Sequence, residues 1–205
     1  LKCQVSCAMF VFDEDDFELP ELRPIIIGLA GKMKSGKSTL ANFLVDVLGF
    51  KRLSFGEAVK RQVARGFGME YNTLLALEKE EKEKLRPLYQ AWGHGRRKLS
   101  GENYWVVEVL KQIPFHKHVV IDDIRYPNEL RAIQEAGGRI GLLEITAKEQ
   151  IQRGADRDWL MHESEIALDS YEYDPAFIVD SDGVDADTVK QFILWWLGEE
   201  GYWDA

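Results

Sequence analysis

From residue 25 onward, short apolar runs alternate with stretches whose apolar residues recur every three or four positions. The short runs, Ile25–Leu29, Arg52–Phe55, His118–Ile124, Arg139–Ile145 and Phe177–Asp180, predict five strands. The helical period is clear in Leu40, Phe43, Leu44, Val47 and Leu48, which ends at Gly49. It returns in Val189, Phe192, Ile193, Trp196 and Leu197, and each stripe reads as a core-facing surface. Ser54-x-x-Glu57 has the spacing of a capping box, so a helix is expected from Phe55 or Gly56 towards Arg65. Leu130 and Ile133 mark a further helix, with Asn128 and Glu129 at its start and Gly137-Gly138 at its end. Strands that alternate with helices predict an α/β fold with a largely parallel sheet, because parallel neighbours need a crossover between them.

Two regions break this alternation. Residues 1–24 hold an acidic stretch, Asp13 to Glu21, without a lasting period, and read as an N-terminal extension apart from the domain at 25–205. Between 72 and 112 the strand signal gives way to helical ones. Glu78–Lys82 and Glu80–Lys84 have the favourable i, i+4 charge order of a solvated helix face. Arg86 to Trp105 instead mixes Tyr89, Gln90, Trp92, Arg96, Arg97, Asn103, Tyr104 and Trp105. Aromatic planes and amides suit a nucleobase and guanidinium groups suit a phosphate, although packing alone also accounts for aromatics in a helix.

The sharpest chemical signal lies between the first strand and the first helix. Gly31-x-x-x-x-Gly36-Lys37-Ser38 is the pattern of a phosphate-binding P-loop, and it has the strand before it and the helix after it that the motif requires. The glycines let the backbone curl so that its N–H groups point at phosphate, and Lys37 adds a charge at the β- and γ-phosphates. Ser38 is positioned to ligate Mg²⁺ and Thr39 to reach the α-phosphate, with the helix dipole behind both. Lys34 and Ser35 complete the loop.

Downstream, Val119-Val120-Ile121-Asp122-Asp123 is an apolar strand ending in carboxylates, the arrangement that delivers an acid to the water shell of a metal ion. Alternation puts the two on opposite sides, and Asp123 is taken as the metal-facing one, with Asp122 as rival. Arg125 follows where substrates bind in open α/β sheets. Arg153 and Arg157 are four apart, a spacing that would share one helical face and let both close over a transferring phosphoryl group. His162-Glu163-Ser164-Glu165 lacks zinc spacing and reads as a polar hinge or hydrogen-bond cluster.

Together, Gly31–Thr39, Ser54-Phe55-Gly56-Glu57-Ala58-Val59-Lys60, Tyr89-Gln90-x-Trp92-Gly93, Asn103-Tyr104-Trp105, Asp123-x-Arg125-x-x-Asn128-Glu129 and His162-x-Ser164-Glu165 resemble the nucleoside monophosphate kinases of the P-loop class. The resemblance is to viral deoxynucleoside monophosphate kinases in particular. It implies a P-loop NTPase fold with a five-stranded parallel sheet, ATP and Mg²⁺ on the donor side, and a deoxynucleoside monophosphate as acceptor. It also implies an acceptor-binding helical region at about 72–112 and a lid at about 147–165. Residue by residue, Lys37, Arg125, Arg153 and Arg157 would be catalytic. Lys60, Tyr89, Gln90, Trp92, Arg97, Trp105 and Arg125 would bind the acceptor. The chain departs from the pattern at Ser38, where such kinases often carry Asp, and at His94-Gly95, where a Thr-Glu pair is expected.

Composition narrows the setting. With 26 basic residues against 35 acidic ones and a net charge of −9, the surface is not one built to coat a polynucleotide. Cys3 and Cys7 are the only cysteines and have neither zinc spacing nor scaffold density, which favours a reducing interior. No run approaches the ~18 apolar residues of a membrane span. The expectation is a cytoplasmic enzyme acting on small-molecule nucleotides, with no membrane or polynucleotide partner and a homodimer left open. Two other readings stay open: a dephospho-coenzyme A or other small-metabolite kinase, whose hydroxyl acceptor would need a carboxylate base, and a P-loop ATPase or nucleotide switch.

Overall fold

A computed structural model describes residues 24–202, so Cys3, Cys7 and the acidic stretch from Asp13 to Glu21 lie outside the described residues. Five strands, β1 (Ile26–Gly31), β2 (Lys51–Leu53), β3 (Val119–Ile124), β4 (Arg139–Glu144) and β5 (Phe177–Asp180), lie in the order β2-β3-β1-β4-β5. Every neighbouring pair is parallel. The helices are α1 (Lys37–Leu48), α2 (Phe55–Gly66), α3 (Tyr71–Ala76), α4 (Lys79–Lys84), α5 (Arg86–Ser100), α6 (Tyr104–Leu110), α7 (Pro127–Glu135), α8 (Ala147–Gln152), α9 (Glu163–Ile166) and α10 (Ala186–Glu199).

Strand alternation feeds two separate cores. Ile26, Ala30, Val119, Ile121 and Ile140 face α2, α6 and α7, where Ala58, Trp105, Val109, Leu130 and Ile133 meet them. Ile27, Leu29, Val120 and Leu143 face α1 and α10, against Leu40, Leu44, Ile193, Trp196 and Leu197. Both faces of the central strands are therefore dry, which is why these strands read as apolar runs and not as an alternating pattern.

The expected strands and helices are present with small shifts. β2 stops at Leu53 because Ser54 becomes the N-cap of α2, its hydroxyl accepting from the Glu57 N–H at 3.1 Å. In α1 the core stripe moves by a residue: Ala41 is fully buried, while Val47 is 63% exposed. Gly49 ends α1 in the left-handed conformation, as a helix stop requires. The region between 72 and 112 holds no strand and is made of α3 to α6, with short breaks at 77–78 and 101–103.

β1 is the strand at which the chain order turns, with β3 on one side and β4 on the other. In an open parallel sheet this leaves a crevice beyond the carboxyl ends of the central strands. Gly141 on β4 leaves room for the far edge of the Phe177 ring of β5, since a Cβ there would come within 2.1 Å of Phe177 Cζ. Gly141→Ala should cost about 1–3 kcal/mol through overpacking, read as a lower urea midpoint with an unchanged slope. An unchanged midpoint would mean that the ring has room to yield.

Candidate active site

The P-loop leaves β1 at Gly31, whose φ of 137° only glycine adopts without strain and whose Cβ would come within 2.3 Å of the Leu143 carbonyl oxygen. Lys34, at φ 66°, and Gly36, at φ 93°, complete the curl. Lys37 opens α1 and folds back into this curl. Its Nζ donates to the carbonyls of Gly31 (2.7 Å) and Lys32 (2.6 Å) and to Ser35 Oγ at 3.3 Å. The side chain is buried, and that desolvation, followed by the Arg125 charge, lowers its pKa to about 7; Glu165, Asp122 and Asp123 pull the other way.

The loop's outer side is braced from the far half of the sheet. Gln150 Nε2 of α8 donates to the Met33 carbonyl at 2.9 Å, and Ser181 Oγ, just after β5, donates to the Ser35 carbonyl at 2.8 Å. Arg153 donates to the Lys34 carbonyl at 3.2 Å and also to the Ser181 carbonyl, with Glu149 accepting from its Nε at 2.8 Å. Beside this brace lies a cavity of about 240 Å³ lined by Ser35, Gly36, Thr39, Arg153, Ser181 and Val184, among others.

The end of β3 divides two carboxylates between two tasks. Asp122 Oδ2 accepts from Ser38 Oγ at 3.3 Å and from Arg52, while its Oδ1 is buried without a hydrogen-bond partner. Asp123 turns to the start of α2, where it accepts from Ser54 Oγ (2.7 Å) and from the N–H groups of Phe55 (2.8 Å) and Gly56 (2.7 Å). Burial and the neighbouring Asp122 push the Asp123 carboxyl above its ordinary value, against those three donors. The expectation that Asp123 faces Ser38 is therefore corrected in favour of its rival. Asp123 is recruited by the free N–H groups of a helix start, a competitor that strand alternation does not register.

Arg125 follows, with Nη1 at 2.6 Å from Glu165 Oε1 and 3.3 Å from the Gly31 carbonyl. Glu129, in the first turn of α7, accepts from the N–H groups of Arg125 (2.9 Å) and Tyr126 (3.1 Å) and from Arg97 at 2.5 Å. The Arg97 guanidinium lies 3.7 Å over the Tyr126 ring. Burial raises the Glu129 carboxyl to about 7, against the pull of Arg97 and the backbone donors.

The profile of the phosphomevalonate kinase family matches residues 29–139, more than half of the chain and the whole stretch from the P-loop to the start of β4. The chain belongs to this family of P-loop kinases. A provisionally named deoxynucleotide monophosphate kinase of Acanthamoeba polyphaga mimivirus is 26% identical over 137 residues, covering 56% of this chain and 70% of that protein. Among solved structures, shikimate kinase from Acinetobacter baumannii with bound shikimate superposes with a TM-score of 0.51 at 19% identity. That match covers 88% of this chain and 96% of that one, and it establishes the shared fold. The protein is thus a P-loop phosphotransferase with an all-parallel, helix-flanked sheet.

This kinase gathers Lys37, Ser38, Asp122, Arg125 and Arg153 around one loop, and it distributes the remaining expected residues differently. Arg153 and Arg157 do not share a helical face: α8 ends at Gln152, Gly154 takes a left-handed φ of 80°, and Arg157 lies exposed in a separate 3₁₀ turn, Arg157–Trp159. Trp105 is 1% exposed in the core and donates its indole N–H to the Gly93 carbonyl at 2.9 Å, so it does not face an acceptor. Trp92 packs on α2, donating to Gln62 at 3.3 Å. Tyr89 lies under Lys60 at 5.9 Å, and Gln90 Nε2 is 3.4 Å from His162 Nε2.

Gln150, Ser181, Glu165 and Glu129 carry more of the site than their sequence context suggests. Ser181 reads as a turn residue and Glu129 as a cap. The motifs that end in Glu129 and Glu165 single out those two, whereas nothing local marks Gln150, which the structure leaves 2% exposed on a short helix.

Ser38→Ala and Asp122→Asn should each raise the Mg²⁺ concentration needed for half-maximal activity, whereas Asp123→Asn should instead lower the melting temperature by releasing the start of α2. The reverse assignment of these two phenotypes would return the metal-facing role to Asp123.

A second expectation follows from Lys37. Free in the loop it titrates near 7, and a polyphosphate should restore its ordinary value, so ATP binding should take up a proton at pH 8 but not at pH 6. Calorimetry at pH 8 in buffers of different ionisation enthalpy reads this directly. Lys37→Ala should abolish the uptake and reduce turnover by about a hundredfold or more.

Proposed function

We propose that this kinase transfers the γ-phosphoryl group of ATP to an oxygen of a phosphate monoester, and that the monoester is a deoxynucleoside monophosphate. The observation that carries the first half is the state of the carboxylates at the loop mouth. Asp122 Oδ2 accepts from Arg52 and Ser38, with Oδ1 left for a metal ion; Asp123 is committed to the start of α2, Glu129 to Arg97 and two N–H groups, and Glu165, in the unliganded site, to Arg125 and the Met33 N–H. A hydroxyl acceptor would need one of them as general base, whereas a phosphate oxygen is already anionic and needs none. The names of the matching family and of the mimivirus relative agree on that chemistry, since phosphomevalonate and a deoxynucleotide monophosphate are both phosphate monoesters.

On this reading the N–H groups of the loop hold the donor phosphates, and Lys37 and Arg125 stabilise the charge that spreads over the transferring group. The nucleoside of ATP would lie in the cavity beside Thr39 and Arg153. Arg157 would reach the phosphates only when the lid at 147–165 moves inward. Ser38 and Asp122 fit a Mg²⁺ ion, because the buried Oδ1 of Asp122 has no other partner. When bound, the ion neutralises phosphate charge. Tyr89, Gln90 and Lys60 on the helical arm suit a base and its phosphate, and the mimivirus relative supports that acceptor. Draws on a mononucleotide pool would fit the cytoplasmic setting expected from the cysteines. The second reading is phosphomevalonate itself, favoured by the family match.

ADP release measured with four deoxynucleoside monophosphates, phosphomevalonate, dephospho-coenzyme A, shikimate and no acceptor separates these readings. A mononucleotide should give the largest stimulation. Arg125→Ala should then raise KM for all four by a similar factor, and Gln90→Ala should change their ranking. Preference for phosphomevalonate would select the second reading. Stimulation by dephospho-coenzyme A or shikimate alone, or equal turnover without acceptor, would end the phosphate-acceptor proposal.

A further inference from the structure

The His162–Glu165 motif belongs to a segment that reaches back over the phosphate loop. Glu165, 7% exposed, places Oε2 at 2.6 Å from the Met33 N–H and Oε1 at 2.6 Å from Arg125 Nη1. Four residues on, Asp169 Oδ2 takes the ammonium of Lys32 at 2.9 Å. A loop N–H, a guanidinium and an ammonium at the mouth of a P-loop form a donor set suited to phosphoryl oxygens, yet here carboxylates of one short segment hold all three.

We propose that Glu165 and Asp169 form an autoinhibitory clasp, occupying in the unliganded protein the donors that a polyphosphate takes on binding. A carboxylate and a phosphoryl group cannot share the Met33 N–H and Arg125 at hydrogen-bond distance, because two anions would have to occupy the same donor positions and would repel. The clasp opens as phosphate enters. Both carboxylates line a cavity of about 290 Å³, together with Leu168 and Tyr173, so they can turn aside without disturbing the sheet. Their spacing on one segment means that a single displacement frees Arg125, Lys32 and the loop N–H together. The inference rests on the phosphate-loop reading and is independent of which acceptor the enzyme uses.

Titration calorimetry of the full chain with sodium tripolyphosphate, which has no base, and with ATP tests this directly. Glu165→Gln should bind both ligands about three- to tenfold more tightly than wild type. Asp169→Asn, at an exposed pair where folding is not at risk, should tighten binding by about twofold. Glu163→Gln, an exposed carboxylate on the same helix, should leave both affinities unchanged. Unchanged or weaker tripolyphosphate binding in Asp169→Asn and in folded Glu165→Gln would overturn the clasp, and weaker binding would make Glu165 a positioning residue for the cradle. Equal tightening in all three variants would reduce the effect to net charge and also overturn it. The acceptor panel does not enter any of these measurements, so its outcome leaves this test intact.

Discussion

A buried ammonium group is costly unless its donors are met, and the site is organised around meeting those of Lys37. Three oxygens do so, from Gly31, Lys32 and Ser35. Presenting two successive carbonyls inward forces the loop into left-handed turns at Gly31, Lys34 and Gly36. A backbone bent in that way exposes its remaining carbonyls outward, and these need partners in turn. Gln150, Arg153 and Ser181 supply them from residues after β4 and β5. The order of strands follows the same need, because β1 must end between β3, which brings Asp122 and Arg125, and β4, whose following helix brings Gln150.

Around that centre the charges form a nearly closed account of donors and acceptors. Arg52 pairs with Asp122, Arg97 with Glu129, Arg125 with Glu165 and Lys32 with Asp169. The three pairs with a buried carboxylate contribute little net stability, since desolvation offsets most of the attraction, and the exposed Lys32–Asp169 pair contributes little because water screens it. Their value lies in orientation, and in the partners that a bound phosphate can claim. Among the described residues the one buried side-chain oxygen without a partner is Oδ1 of Asp122, on the carboxylate whose other oxygen accepts from the Ser38 hydroxyl. That pairing of an orphaned buried oxygen with a loop hydroxyl is what a hard cation would satisfy.

The fold is shared with a shikimate kinase at low identity, and sheet order alone therefore says nothing about the acceptor. On the proposed reading, acceptor choice would belong to the helical arm of α2 to α6, which packs through Trp92 and Trp105 but leaves Tyr89, Gln90 and Lys60 partly or wholly exposed. Among its contacts with the phosphate side, the arm sets Arg97 on Glu129 and Gln90 near His162. Both contacts join segments far apart in sequence, so only the folded chain brings the arm to the elements that carry Arg125.

Local pattern was enough for the elements and for the loop. Apolar runs located all five strands, the stripe at Val189 to Leu197 located the core face of α10, and Gly31 to Thr39 located the phosphate cradle, because each depends on neighbours within one turn or one strand. Tertiary structure decided the rest. Asp122 and Asp123 are both placed by β3, but only the approach of α2, whose unpaired N–H groups capture Asp123, determines which one is left for Ser38. Arg153 and Arg157 have helical spacing, yet Gly154 ends the helix between them and the loop carbonyls claim Arg153 alone. Trp105 has the composition of a binding aromatic, but the packing of α6 on the sheet leaves it no face to offer. In each case hydrogen-bond donors or apolar volume supplied from a distant segment choose between positions that the sequence makes equivalent.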